Sequence, residues 1–373
     1  MKILIVTLEY PPLVGGIASY VCDFARHIDP KDVIVYAPDT REGVRFDAAN
    51  KFKTYRRNPF FSLFWPRWIR AWWQIIRIVK REKIEMIHIH HILPMGYIAL
   101  IIKRLFKVPY TVFLHGSDLY FSTKTPLKRS NFNRICRQAH TVVVNSQFCK
   151  QKLDSIVGEL SSIKIIYPCP SDDFFDISID QKRIDQIKSE LALNGKKTII
   201  SVSRLVERKG HALFVSALEL VLKKIPNAIW LIVGDGPEKK MLTEMINARG
   251  LQSVVRFLPS MPAHETAKYY HCADLFALLT HQDKDGVEEA WGIVFLEASA
   301  CGLPIIAGRS GGVEEAVLNN ETGLIVDARN IKQTANSIID LLNNPDYSRR
   351  LGDAGRERAR EEFRWQKQLR KFS

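Results

Sequence analysis

The densest run of chemically useful residues is EAWGIVFLEASACGLPIIAGRSGG, residues 289–312, in which Glu289 and Glu297 stand eight residues apart around a glycine-containing hydrophobic segment. Carboxylates in such a setting accept hydrogen bonds from hydroxyl-rich ligands. Glu297 is expected to open a helix and take the hydroxyls of a ribose, while Glu289, with the backbone of Gly292 and Ile293, takes those of a sugar. A second group lies in SVSRLVERKG, residues 201–210, where Arg204 follows an apolar strand and Lys209 comes directly before a glycine and a helical stretch. Strand ends of open parallel sheets face a crevice, and helix N-termini present N–H donors. Two cations there suit a pyrophosphate and would neutralise a diphosphate leaving group without a metal.

LHGSD places His115 and Asp118 just after the apolar strand 110–114, both toward the crevice, the alternative being a structural histidine that closes a loop. His88 and His90 would share one face of a strand beside His91, but no Asp, Glu or Cys pattern accompanies them, so no metal site is expected.

The elements that must position these residues alternate. Residues 2–7 form a short apolar run followed by Pro11, Pro12, Gly15 and Gly16, after which Ile17, Tyr20, Val21, Phe24 and Ala25 recur at helical spacing. Strands are expected at 32–37, 84–90, 109–114 and 140–144, with helices around 66–80, 95–106 and 126–138. A second series has strands at 197–202, 228–233, 254–257, 274–278 and 303–306. The pattern predicts an α/β protein of two Rossmann-like, doubly wound parallel-sheet domains facing a cleft, as a 373-residue chain also suggests. The aperiodic stretch from Tyr167 to Asp176 is the expected linker, dividing domain 1–170 from domain 171–354. A helix over about 355–373 is expected to return to the first domain.

Composition narrows the field. The longest nearly uninterrupted apolar run, Met95 to Ile102, has eight residues, whereas a spanning helix needs about 20. The first residues are too briefly apolar for a signal-peptide core, and six scattered cysteines suggest buried thiols in a reducing cytoplasm. Residues 1–170 carry 26 Lys and Arg against 12 Asp and Glu, while the remainder carries 28 against 28, so the first domain faces something anionic. Residues 60–83 concentrate aromatics and cations. Trp65, Trp68, Ile69, Trp72, Ile75, Ile76 and Val79 form one apolar stripe, expected to pack on the sheet. Arg67, Arg70, Trp73, Arg77 and Lys80 crowd the remaining surface, which suits peripheral docking to an anionic membrane.

The string from Glu289 to Gly312 resembles the E-x7-E motif of retaining glycosyltransferases of family 4, a two-domain class with the GT-B fold, and the likeness extends over essentially the whole chain. The resemblance implies that Gly15 and Gly16 approach the donor phosphates and sugar, and that His115 with Gly116 contacts the donor sugar. It further implies that Arg204 and Lys209 bind the donor diphosphate and that Glu289 and Glu297 are the motif carboxylates. His115, Glu289, Arg204 and Lys209 are then the catalytic set. Ala290 and Trp291 depart from the family's frequent choices, which bears on the sugar pocket. The texture GIVFLEASACGLPIIAGRSGG is similar to phosphatidylinositol mannosyltransferases and related enzymes, which favours GDP-mannose over a UDP-sugar. The implied reaction moves a hexosyl unit to a lipid-linked or cell-envelope glycan, with retention, without metal or other cofactor, and with the protein peripheral at the inner face of the cytoplasmic membrane. Asp118 is assigned to the acceptor side.

A soluble transferase acting on a small or phosphorylated sugar is the alternative. A dehydrogenase is disfavoured because YPPLVGGIAS lacks the G-x-G-x-x-G spacing. The pI near 9.5 raises a nucleic-acid binder, but no binding motif accompanies the charge, and no nucleic-acid partner is expected.

Overall fold

The computed structural model describes residues 1–13, 15–175 and 180–372. The chain divides into two compact units, one comprising Met1–Tyr167 and Trp365–Ser373, the other Pro168–Arg364.

The first unit runs β1 (Ile3–Val6), α1 (Gly16–Arg26), β2 (Val33–Pro38), α2 (Gly43–Asp47), β3 (Lys53–Arg57), α3 (Ile69–Glu82), β4 (Met86–Ile89), α4 (Ile92–Phe106), β5 (Tyr110–Leu114), α5 (Ser117–Phe121), α6 (Pro126–Gln138), β6 (Thr141–Val144), α7 (Gln147–Val157) and β7 (Ile163–Ile165). Its seven strands are all parallel, in the order β3-β2-β1-β4-β5-β6-β7. The four central strands β1, β4, β5 and β6 are buried along their whole length, as strands covered on both faces must be. Local signals fix the helices: Thr125 caps α6 ahead of Pro126, and Ser146 caps α7 through the N–H of Cys149.

The second unit runs α8 (Gln181–Glu190), β8 (Lys197–Val202), α9 (His211–Leu222), β9 (Ala228–Val233), α10 (Lys239–Ala248), β10 (Val255–Leu258), α11 (Ala263–Tyr270), β11 (Leu275–Leu278), α12 (Ile293–Ala300), β12 (Ile305–Gly308), α13 (Val313–Ala316), β13 (Leu324–Val326), α14 (Ile331–Asn343) and α15 (Pro345–Glu362). Its six-stranded parallel sheet has the order β10-β9-β8-β11-β12-β13. Trp230 sits at the centre of its core with Phe214 and Ile232. In each unit the strand order reverses beside the first strand, between β1 and β4 and between β8 and β11. Loops leaving the carboxyl ends of those strands diverge there, the position at which open parallel sheets generally bind ligands.

Three expectations are corrected. The terminal helix does not run over 355–373. α15 ends at Glu362 and packs on α12 within the second unit, where Gly352 lies so close to Gly302 that a Cβ would stand 2.2 Å from its carbonyl oxygen. Only the residues from Trp365, with α16 (Trp365–Arg370), belong to the first unit, where Trp365 packs on Tyr20 and Phe372 on His88. The linker stretch is also structured: Phe174 and Phe175 are buried, and Pro168 accepts a hydrogen bond from Trp291 Nε1 at 3.2 Å, while Asp176 lies outside the described residues.

The stripe on α3 is rotated from the expected one. The helix begins only at Ile69 and buries Ala71, Ile75, Ile78 and Val79, leaving Trp65 85% exposed ahead of it. Trp73, 53% exposed, and Arg67, Arg77 and Lys80 face outward, whereas Arg70 is half-buried over the Phe61 ring. All six cysteines are buried, and no helix among the described residues is long and apolar enough to cross a membrane.

Candidate active site

In the second unit, the loop after β8 is clamped backbone to backbone against its neighbours. The N–H of Leu205 donates to Asp235 O at 2.9 Å, and a Cβ on Gly234, whose φ is 143°, would stand 1.9 Å from Ser203 O. On the other side Gly210, at φ 72°, lets the chain pass Leu279 O at a distance only glycine permits, while His281 N donates to Arg208 O. The segment carrying Arg204, Arg208 and Lys209 is therefore held at the strand-order reversal between β8 and β11.

Lys209 Nζ donates to Glu289 Oε2 at 2.6 Å, with Arg208 Nε 3.9 Å from the same oxygen. The pair is largely enclosed, with side-chain exposures of 11 and 14%. Burial works to raise the Glu289 pKa, but the Lys209 ammonium, supported by Arg208, outweighs it and holds the carboxyl below its ordinary value. The Glu289 backbone is fixed as well: its N–H donates to Ser310 Oγ at 3.1 Å and its carbonyl accepts from Gly312 N. Arg204 is exposed and makes no ion pair among the described residues, so its guanidinium is available to an anion.

Glu297 does not open a helix. Gly292, left-handed at φ 82°, precedes the first helical residue Ile293, and Glu297 lies mid-helix in α12. It accepts a hydrogen bond from the buried Tyr270 hydroxyl at 3.1 Å. Arg208, Ser310 and Tyr270 are the residues that motif reading missed. The first two sit inside the quoted strings ERKG and GRSGG, but nothing local marks Tyr270.

In the first unit, Leu8 N donates to His91 Nδ1 across the reversal between β1 and β4. His115, half-buried, has its Nε2 3.1 Å from His90 Nδ1 and its ring edge-on to Tyr20 at 5.0 Å. Burial lowers its pKa to about 3, so the ring is neutral at physiological pH. Asp118 braces its loop: Oδ2 accepts from His115 N at 3.0 Å, and burial raises its pKa. His88 is fully buried among Phe24, Phe113 and Phe372, and no three His, Cys, Asp or Glu side chains among the described residues group as metal ligands.

Gly15 has extended backbone at φ 175°, and a Cβ there would make only ordinary contact with Glu9. A Cβ on Gly16 would meet nothing within 4 Å. Neither glycine is required by the fold. The preceding loop is braced by Arg56, which pairs with Asp47 at 2.9 Å and lies over the Tyr10 ring.

Two doubly wound units, the second with a cationic loop at its strand-order reversal, have the architecture of a solved structure, Anabaena Alr3699/HepE in complex with UDP and glucose. That structure superposes with a TM-score of 0.85 over 100% of this chain and 98% of its own, at 19% identity, a likeness of fold. Residues 14–170 match the pattern of Glycosyltransferase Family 4, and residues 182–358 that of Glycosyl transferases group 1. The chain is 30% identical over 370 residues to the GDP-mannose-dependent alpha-(1-6)-phosphatidylinositol monomannoside mannosyltransferase of Mycobacterium tuberculosis, covering 98% of this chain and 95% of that one. The Mycolicibacterium smegmatis protein of the same name is 29% identical over 366 residues, 97% and 94% of the two chains. The chain belongs to the family 4 glycosyltransferases and is a glycosyltransferase of the GT-B fold.

Proposed function

We propose that the enzyme takes GDP-mannose as donor and transfers the mannosyl unit, with retention of anomeric configuration and without a metal ion, to a lipid-linked or cell-envelope glycan. The observation that carries this reading is the Lys209–Glu289 pair, held beside Arg208 on the loop that also carries Arg204, at the strand-order reversal of the second unit. A diphosphate seated on that loop meets three cations, and the carboxylate beside them is poised for a sugar hydroxyl.

In the reaction, the bond from the anomeric carbon to the diphosphate breaks, and the bond to the acceptor oxygen forms on the same face. Arg204 and Lys209 stabilise the departing charge, and the leaving phosphate accepts the acceptor's proton. Glu297 and the start of α12 at Gly292 and Ile293 hold the ribose and sugar. In the first unit, family resemblance assigns the neutral His115, with Gly15 and Gly16, to donor-sugar recognition. The choice of guanine and mannose rests on the near full-length likeness to the two mycobacterial proteins. The exposed Trp73, Arg67, Arg77 and Lys80, with the exposed aromatics Phe64 and Trp65, suit peripheral docking to an anionic bilayer.

The test is a panel of GDP- and UDP-sugars incubated with the protein and membrane extract, scored for nucleoside diphosphate release with and without chelator. GDP release from GDP-mannose, insensitive to chelator and lost in Glu297→Ala, is expected, with a product whose anomeric proton retains the donor's configuration. Turnover of a UDP-sugar alone, an inverted product or dependence on a divalent ion would overturn the corresponding part.

A further inference from the structure

Away from these residues, α4 and α6 border a cavity of about 440 Å³ in the first unit, lined by Leu100, Lys103, Arg104, Lys107, Arg134 and Gln138. The two helices approach most tightly at Gly96, where a Cβ would stand 2.6 Å from Ile135 Cδ1, and the cavity opens further along both. On α4 Leu100, Lys103 and Arg104 fall at i, i+3 and i+4, with Lys107 at the left-handed C-cap just beyond the helix, and on α6 Arg134 and Gln138 fall at i and i+4. Facing stripes with that spacing are normally apolar where helices pack, yet these carry four cations.

No carboxylate lines the cavity, and among the described residues none of the four cations has an ion-pair partner. Lys103 is partly committed, with Nζ 2.6 Å from Gln138 O, but Arg104, Lys107 and Arg134 are exposed. Lys80, over the Phe106 ring at 5.0 Å, brings a fifth cation to the same end of α4. The carbonyl end of α4 offsets only about half a unit charge, too little to balance four. Guanidinium groups from two helices, with a lysine between them, match the several oxygens and multiple charge of a phosphate.

We propose that this cavity binds a phosphate group, borne either by a small soluble molecule or by an anionic lipid headgroup. The inference stands independently of the donor and acceptor assigned above. The test uses the full chain and the charge reversal Arg104→Glu with Arg134→Glu, beside a matched reversal at the exposed Lys31→Glu and Lys51→Glu. Two probes are read: ³¹P line broadening of inorganic phosphate, and flotation with phosphatidylcholine vesicles with and without phosphatidylglycerol. Thermal melting of each variant verifies folding.

The expected result is a loss of about tenfold in binding for the cavity variant, as for removal of charged hydrogen-bond donors, and little change in the matched control. Loss with inorganic phosphate alone identifies a soluble ligand, loss with vesicles alone a lipid headgroup, and loss with both a site that takes either. Unchanged binding of both probes, or an equal loss in the matched control, overturns the proposal.

Discussion

Replacing Lys209 by methionine tests whether the Lys209–Glu289 pair is an electrostatic unit. At an effective dielectric of about 20, unit charges 2.6 Å apart attract by roughly 6 kcal/mol and those 3.9 Å apart by roughly 4 kcal/mol before desolvation. Removing one partner of a buried pair costs about 3–5 kcal/mol, but Arg208 remains to hold part of the Glu289 charge, so a loss of about 2–3 kcal/mol at neutral pH is expected. In the native protein the lowered Glu289 pKa contributes stability above the ordinary carboxylate range, which is lost as pH falls through its folded value. In Lys209→Met, burial is opposed only by Arg208 and the carboxyl pKa rises, so the variant's deficit shrinks on acidification as Glu289 becomes neutral. Adding Glu289→Gln recovers much of the loss. The assay is urea denaturation of the four proteins of this double-mutant cycle, followed in the second unit from about pH 7.5 to about pH 4.5. A deficit independent of pH, together with additive single-site effects, would refute the reasoning.

Three further outcomes follow from geometry already described. Gly16→Ala meets no neighbouring atom and starts α1, so it is expected to preserve or raise stability by up to about 1 kcal/mol while lowering donor turnover; melting temperature and kinetics on the same sample check both. Tyr270→Phe removes the hydroxyl that steadies Glu297 and is expected to raise donor KM more than it lowers kcat; a fall in kcat alone would place the interaction in the transition state, and lowered stability with unchanged kinetics would assign Tyr270 to packing. His88, whose pKa burial lowers to about 3 and whose ring nitrogens have no protein partner among the described residues, contributes stability present above its ordinary value near 6.5 and lost as pH falls toward 3. His88→Phe should therefore flatten the acid limb of the first unit's stability curve, read by denaturation across that window.

The sequence made the buried centre of each sheet legible and, of the four edge strands, only β10. β1, β4, β5 and β8 are near-continuous apolar runs because both faces are covered. The strands that escaped notice, β3, β7 and β13, are all edge strands. KTYRR in β3 shows why: it pairs on one side only and reads as polar loop. The α3 stripe was misplaced because aromatic periodicity extends through Trp65 and Trp68, while the helix begins only after Pro66. Arg204, Lys209 and Glu289 stood out as motif residues, but the direct bond between Lys209 and Glu289 joins positions 80 residues apart and depends on the β8–β11 neighbourhood. Glu297 illustrates the converse: spacing identified it, and only the left-handed Gly292 decides that the helix starts four residues earlier, at Ile293.

The path of the chain also orders its birth. The amino-terminal unit draws a fully buried tryptophan, Trp365, from far along the polypeptide, with the entire second unit synthesised in between. Elongation at about 5–20 residues per second leaves that unit waiting for some ten seconds or more with its Tyr20–Phe24 surface uncovered. Of the two units, the one that emerges earlier from the ribosome is therefore the later to be sealed. Nascent chains stalled before Trp365 should present an aromatic surface to chaperones that the finished protein conceals.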